Sequence, residues 1–123
     1  MAVRIGAETD AGEDRALAHL QAQGLRLVAR NFRTPGRGGG EVDLILRERD
    51  GTLVFVEVRQ RASAAAGGAA ASITAIKQRR IVLAARHFLL RLGSTPPCRF
   101  DAVLIEGGAL RWLRGAFEAG DTA

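Results

Sequence analysis

Between Glu41 and Arg61 the chain carries two apolar-rich runs, Glu41–Arg49 and Thr52–Arg61, joined through Asp50-Gly51. Runs of Val, Ile, Leu and Phe that meet at Asp-Gly specify an antiparallel strand pair. A side-chain period of two places Glu41, Asp43 and Ile45 on one face and Val42, Leu44 and Leu46 on the other. In the second run Leu53, Phe55, Glu57, Arg59 and Arg61 share a face opposite Val54, Val56 and Val58. Each strand therefore puts charge on a partly apolar face. The favoured register has an odd-numbered connection and sets Asp43 opposite Glu57 and Glu41 opposite Arg59; a two-residue loop shifts it by one residue.

The rest of the chain supplies layers around this pair. Asp10 to Gln23 reads as a helix capped by Asp10, with Ala16, Leu17 and Leu20 on one face and Gly24 as its stop. A strand follows over Leu25–Arg33. Thr34 to Gly40, with Pro35 and four glycines, supports neither helix nor sheet and is predicted to be a mobile loop. Ala62 to Ala71 is almost only Ala, Gly and Ser, a second flexible segment. Ser72 to Leu92 is the longest helical pattern, capped by Ser72 and ended by Gly93 before Pro96 and Pro97. Arg99–Glu106 and Leu110–Phe117 form a last strand pair across Gly107-Gly108. The order predicts an α/β fold, a mixed sheet of about five strands flanked by helices.

At 123 residues and 47% hydrophobic composition, residues 1–123 are expected to form a single domain with one core. No run of 18 apolar residues occurs, and Met1 leads into Arg4, Glu8 and Asp10 without an apolar leader, so a cytoplasmic protein with no membrane association is expected. A lone cysteine, Cys98, excludes an internal disulfide and a Cys-based zinc site, and is expected to be a small buried hydrophobe. The 18 basic and 13 acidic residues leave a formal charge of +5 and a sequence pI of about 11.1. That balance suits a nucleic-acid partner. All the basic residues except Lys77 are Arg, however, a skew that composition alone can produce.

Two carboxylates facing each other across a strand pair repel. A hard divalent cation such as Mg²⁺ removes that penalty, taking carboxylate, carbonyl and phosphate oxygens. The alternative is an edge strand whose acids are solvated. Glu13 lies three, four and seven residues before Ala16, Leu17 and Leu20, so it either joins the site or closes a capping box with Asp10. Lys77 falls in the stripe Ile73, Ile81, Ala84 and Phe88, pointing its amine along the sheet or snorkelling to water. Arg33, Arg37, Arg61 and Arg79 are the candidates for phosphate contacts. His19 and His87 lack a partner at ligand spacing. The glycine-rich loop precedes a strand and lacks the Lys-Ser/Thr of a phosphate-binding loop.

Taken together, Gly12-Glu13 with Ala16 and Leu20, Arg30-Asn31-Phe32-Arg33, Gly40-Glu41-Val42-Asp43-Leu44-Ile45, Val54-Phe55-Val56-Glu57-Val58-Arg59-Gln60-Arg61, Lys77 and Arg99-Phe100-Asp101 resemble the bacterial YraN-like family. The resemblance covers nearly the whole chain. That family is itself similar to the PD-(D/E)XK nucleases, whose restriction-endonuclease-like fold includes Holliday-junction resolvases. The resemblance implies that Asp43 and Glu57 are metal-binding acids, that Glu13 completes the site and that Val58 offers a backbone carbonyl. Glu41 and Asp101 match motif positions without an assigned role. A homodimer is a further implication.

One position departs from the nuclease pattern: Arg59 stands where Lys is wanted. A guanidinium stays protonated far above neutral pH, so Arg holds charge but cannot act as a base there. Arg59 can stabilise developing charge, and Lys77 is the candidate for the missing amine. The expected function is a metal-dependent nuclease using Mg²⁺ or Mn²⁺ on DNA or structured nucleic acid. The alternatives are a catalytically inactive nucleic-acid-binding module of the same fold and a protein-interaction domain with structural acids.

Overall fold

The computed structural model describes residues 10–62, 68 and 72–120. Its elements are α1 (Ala11–Ala22), β1 (Arg26–Arg33), β2 (Glu41–Arg47), β3 (Leu53–Arg61), α2 (Ala75–Leu92), β4 (Cys98–Glu106) and β5 (Ala109–Phe117). The five strands form one sheet in chain order. Neighbours are antiparallel except β3 and β4, which run parallel from Leu53↔Cys98 to Arg61↔Glu106. A parallel pair needs a long crossover, and α2 lies within it. This is the predicted mixed α/β sheet with helices, consistent with a restriction-endonuclease-like fold. Among the described residues, no helix is long and apolar enough to cross a membrane.

Both helices begin on side-chain caps. Asp10 Oδ1 accepts from the Glu13 N–H at 3.0 Å. At α2 the cap is Thr74 rather than the predicted Ser72: Thr74 Oγ1 accepts from the Lys77 N–H at 3.2 Å. The Ser72 hydroxyl instead accepts from Arg59 Nε at 2.8 Å. Gly93 ends α2 as predicted, its φ of 75° allowing the left-handed turn. The flexible segment predicted over 62–71 falls largely on 63–67 and 69–71, outside the described residues, as do residues 1–9.

Each face of the sheet buries its own cluster. Ala16 and Leu20 of α1 pack on Leu44, Leu46, Val54, Val56 and Val103. Ile81, Ala84 and Ala85 of α2 pack on Val42, Ile45 and Phe55, with Phe32 and Phe88 alongside. Val42 therefore does not share a cluster with Leu44 and Leu46, as strict alternation predicts. The break falls at Asp43, and the register Arg30↔Leu44, Phe32↔Val42 places Asn31 across from it. Asn31 has a left-handed φ of 51°, which Asn tolerates better than most residues. Thus Arg30 meets α1 while Phe32 meets α2.

The loop 34–40, predicted as mobile, has a tied neck. The Thr34 N–H donates to the Gly40 carbonyl at 2.9 Å and the Gly40 N–H to Thr34 Oγ1 at 2.6 Å. Gly40 presses against α2: a Cβ there would lie 2.5 Å from Ala84 N and 2.7 Å from the Arg80 carbonyl. Because the obstacle is helix backbone, Gly40→Ala is expected to lower stability by roughly 2–3 kcal/mol, measurable as a fall in the urea midpoint.

Cys98 is exposed, not buried as predicted, with Sγ 3.2 Å from the Pro96 carbonyl. It opens β4 at the end of the sheet, where no layer covers it fully. Asp101, by contrast, is fully buried. It receives Arg99 Nε and Nη2 at 2.8 and 3.1 Å, Trp112 Nε1 at 2.9 Å and the Gly115 N–H at 2.9 Å. The β4–β5 register shifts between Phe100 and Ala102. Asp101 thereby fastens the irregular stretch of β5 to β4, a structural role for a residue whose role the motif left open.

Candidate active site

The antiparallel pairing of β2 with β3 runs from Arg47↔Leu53 to Leu44↔Val56, which leaves the odd-numbered connection 48–52. Continued by one residue, this register sets Asp43 opposite Glu57, as the favoured reading predicts. The bond from the Glu48 N–H to the Thr52 carbonyl fixes which pairs exchange hydrogen bonds, and by that parity Val58 would exchange both of its bonds with Val42. Instead the Val58 N–H donates to Asp43 Oδ2 at 2.8 Å. The Asp43 carboxyl thus sits where the two strands part, and by the same parity the Val58 carbonyl points into this opening.

Glu57 is 5% exposed, on the sheet face where Phe55 packs under α2. It lines a narrow cleft with Glu41, Lys77, Arg80 and Ile81. Arg59 Nη1 lies 3.3 Å from Glu57 Oε2, while its Nε is held by Ser72. The residue two positions after the second acid is therefore a positioned cation. Two larger depressions lie around Leu89, Leu90 and Phe100 toward the other end of α2, and neither is lined by a carboxylate.

Glu13 approaches from α1. Its Oε1 accepts from Arg30 Nη2 and Asn31 Nδ2, each at 3.3 Å, while Arg30 Nη1 pairs with Asp14 at 3.0 Å. The capping bond at Asp10 uses the Glu13 backbone, and the Glu13 side chain faces β1. Asn31 stands opposite Asp43 in the β1–β2 register and donates to Glu13, and the two acids are close enough for the Asp43 charge to act on Glu13.

Burial raises the Glu13 carboxyl above its ordinary value, and the Asp43 charge adds to this; Arg30 and Asn31 oppose it. Asp43 is pushed up to about 8, first by burial, then by the Glu57 charge. The Val58 N–H opposes this rise, whereas a hydrogen bond with Glu57 and the charge of Glu41 add to it. At neutral pH Asp43 therefore retains its proton.

Among the described residues, no three His, Cys, Asp or Glu side chains form a ready ligand cluster. Glu13 stays with Arg30 and Asn31, so the closest donor set is Asp43, Glu57 and the Val58 carbonyl. Two strained carboxylates beside a carbonyl fit a hard cation such as Mg²⁺, which usually binds through one or two carboxylates and retains waters. Of the basic candidates, Arg33 pairs with Glu41 at 3.7 Å. Arg37, Arg61 and Arg79 are exposed. Sequence reasoning missed Asn31 and Arg80; an Asn in a strand is a signal for the left-handed backbone at the first.

Residues 12–105 match the model of the uncharacterised protein family UPF0102. The chain belongs to this family. It is the YraN-like family, and the matched span runs from α1 through β4, including every acid of the site. Among its relatives, a UPF0102 protein of Paracidovorax citrulli is 76% identical over 110 residues, covering 89% of this chain and 82% of that protein. One from an Acidovorax species is 75% identical over 109 residues, covering 89% and 83%. One from Albidiferax ferrireducens is 67% identical over 110 residues, covering 89% and 86%.

Proposed function

We propose that this family member is a metal-dependent nuclease that hydrolyses phosphodiester bonds of DNA or structured nucleic acid. The observation that carries the reading is the Asp43–Glu57 pair, set face to face where β2 and β3 part, with Arg59 against Glu57 and Lys77 and Arg80 lining the same cleft. A buried pair of like charges is costly to the metal-free fold, and such costs concentrate at functional sites.

In this reading Asp43, Glu57 and the Val58 carbonyl hold Mg²⁺ or Mn²⁺. When bound, such a cation polarises a phosphate oxygen and makes a water more acidic. Asn31 and Arg30 orient Glu13 beside Asp43, where its carboxyl with a raised pKa can take up a proton near the reaction. Arg59, fixed by Ser72 and Glu57, and Lys77, lining the cleft, stabilise negative charge developing on the phosphate. Arg33, Arg37, Arg61 and Arg79 contribute contacts to the strand backbone.

Labelled duplex, flap and four-way-junction substrates incubated with Mg²⁺ or Mn²⁺ test the reading. Cleavage by the wild type is expected to fall at least about 100-fold in Asp43→Ala, as for loss of a group that stabilises transition-state charge. Equal cleavage by both proteins assigns the activity to a contaminant. Arg59 favours a second reading, a binding module without turnover, because a guanidinium engaged with Glu57 and Ser72 cannot serve as a base. That module binds nucleic acid with strong salt dependence, and its binding is unaffected by EDTA or by loss of Asp43.

A further inference from the structure

Glu41 lies between two guanidinia. Arg80 Nη2 is 3.6 Å from its Oε1 and Arg33 Nε is 3.7 Å from its Oε2. At these separations the charges attract without a hydrogen bond, because an N–H···O bond requires closer approach. The donors facing Glu41 are therefore not consumed by it. The three side chains are also wet, with 72% of Arg33, 41% of Arg80 and 35% of Glu41 exposed, and exposed ion pairs contribute little.

Arg80 is nevertheless held in place. Its Nε donates to the Gly39 carbonyl at 3.0 Å, and the tight contact of Gly40 with the Ala84 and Arg80 backbone fixes that loop against α2. One edge of the guanidinium is anchored, leaving Nη2 toward Glu41. A planar fork with donors directed at an anion is suited to phosphate oxygens. Glu41 and Arg80 line the same cleft as Glu57 and Lys77, so this anion position adjoins the carboxylate pair without being part of it.

We propose that Arg33 and Arg80 form the seat for a nucleic-acid backbone phosphate next to the one that reacts, and that Glu41 is an internal anion occupying that seat in the free protein. Glu41 offsets the mutual repulsion of Arg33, Arg80 and Lys77 until a phosphate takes the donors. Occupying the seat then requires displacing a weakly held carboxylate, which favours a polyanion anchored at several points over an isolated anion. This inference rests on the nuclease reading, since it assumes a nucleic-acid strand at the cleft.

Fluorescence anisotropy of a labelled duplex in EDTA, across a salt series, tests it. Glu41→Gln is expected to tighten binding roughly fivefold by removing the competing charge. Arg33→Ala and Arg80→Ala are each expected to weaken binding and to reduce the log–log salt slope by about one. Glu41→Gln combined with Arg80→Ala is expected to lose the gain of the single change. Because Arg80 also ties the loop, Arg33→Ala, at an exposed position, keeps the test independent of folding. Unchanged or weaker binding by Glu41→Gln, or an unaltered slope in Arg33→Ala, overturns the seat while leaving the nuclease reading standing. Absence of duplex binding by the wild type at low salt overturns both.

Discussion

In EDTA, Asp43→Asn is expected to be more stable than the wild type above neutral pH while losing divalent-cation binding. The Asp43 carboxyl has an ordinary pKa of 3.8 and is pushed up to about 8 in the fold by burial and by Glu57. The native state therefore keeps a proton that the unfolded chain has released, and wild-type stability falls as pH rises from about 4 to about 8. Asparagine carries no charge and retains an oxygen for the Val58 N–H. Its advantage is expected to grow through that window and level off above it, on the order of 2–3 kcal/mol at pH 9. Urea denaturation at pH 5, 7 and 9 measures this. A difference that is the same at all three pH values removes the electrostatic explanation.

The metal site proposed at the same residues provides the converse. Calorimetric titration of the wild type with Mn²⁺ is expected to show one saturable event, absent in Asp43→Asn and Glu57→Ala. At pH 7 Asp43 must give up its proton when the ion binds. The measured heat should therefore vary with the ionisation enthalpy of the buffer. Saturable binding retained by both variants would place the ion elsewhere.

Asp101→Ala is expected to be the most damaging single change to the fold away from the site. Asp101 is fully buried and accepts from Arg99, Trp112 Nε1 and the Gly115 N–H. Removing it leaves Arg99 Nε and Nη2, Trp112 Nε1 and the Gly115 N–H without their acceptor, while Arg99 Nη1 keeps Glu48, and it releases the irregular part of β5. Each buried donor left unsatisfied costs about 1–3 kcal/mol, so a total of about 3–5 kcal/mol is expected, which for a domain of this size lowers the melting temperature by roughly 10–20 °C. Thermal denaturation checks it. A fall of only a few degrees would mean that β5 is held chiefly by its strand ladder and apolar contacts.

Several features were legible because they are local. The 3.6 and 2.0 periodicities gave the element types and order, and Asp10 and Gly93 marked helix ends through their own side-chain or backbone chemistry. The register that opposes Asp43 to Glu57 is one of two that the sequence allows, and the odd-numbered connection 48–52 selects it. Ser72 misled as a helix cap because Thr74, two residues on, offers the same chemistry. Which hydroxyl caps the helix was decided by Arg59 reaching Ser72 across the fold.

The sequence by itself determined a mixed α/β sheet, acids on partly apolar faces of β2 and β3 and an excess of Arg, because alternation and charge are written residue by residue. Only the tertiary structure decided that Asp43 faces Glu57 where the strands part, that Asn31 turns left-handed and donates to Glu13, and that Arg80 joins Arg33 around Glu41. Asp101 likewise proved to be a fastening for β5. These are contacts between residues distant in the chain. They depend on where packing ends one strand ladder and brings a helix alongside, which no local period records.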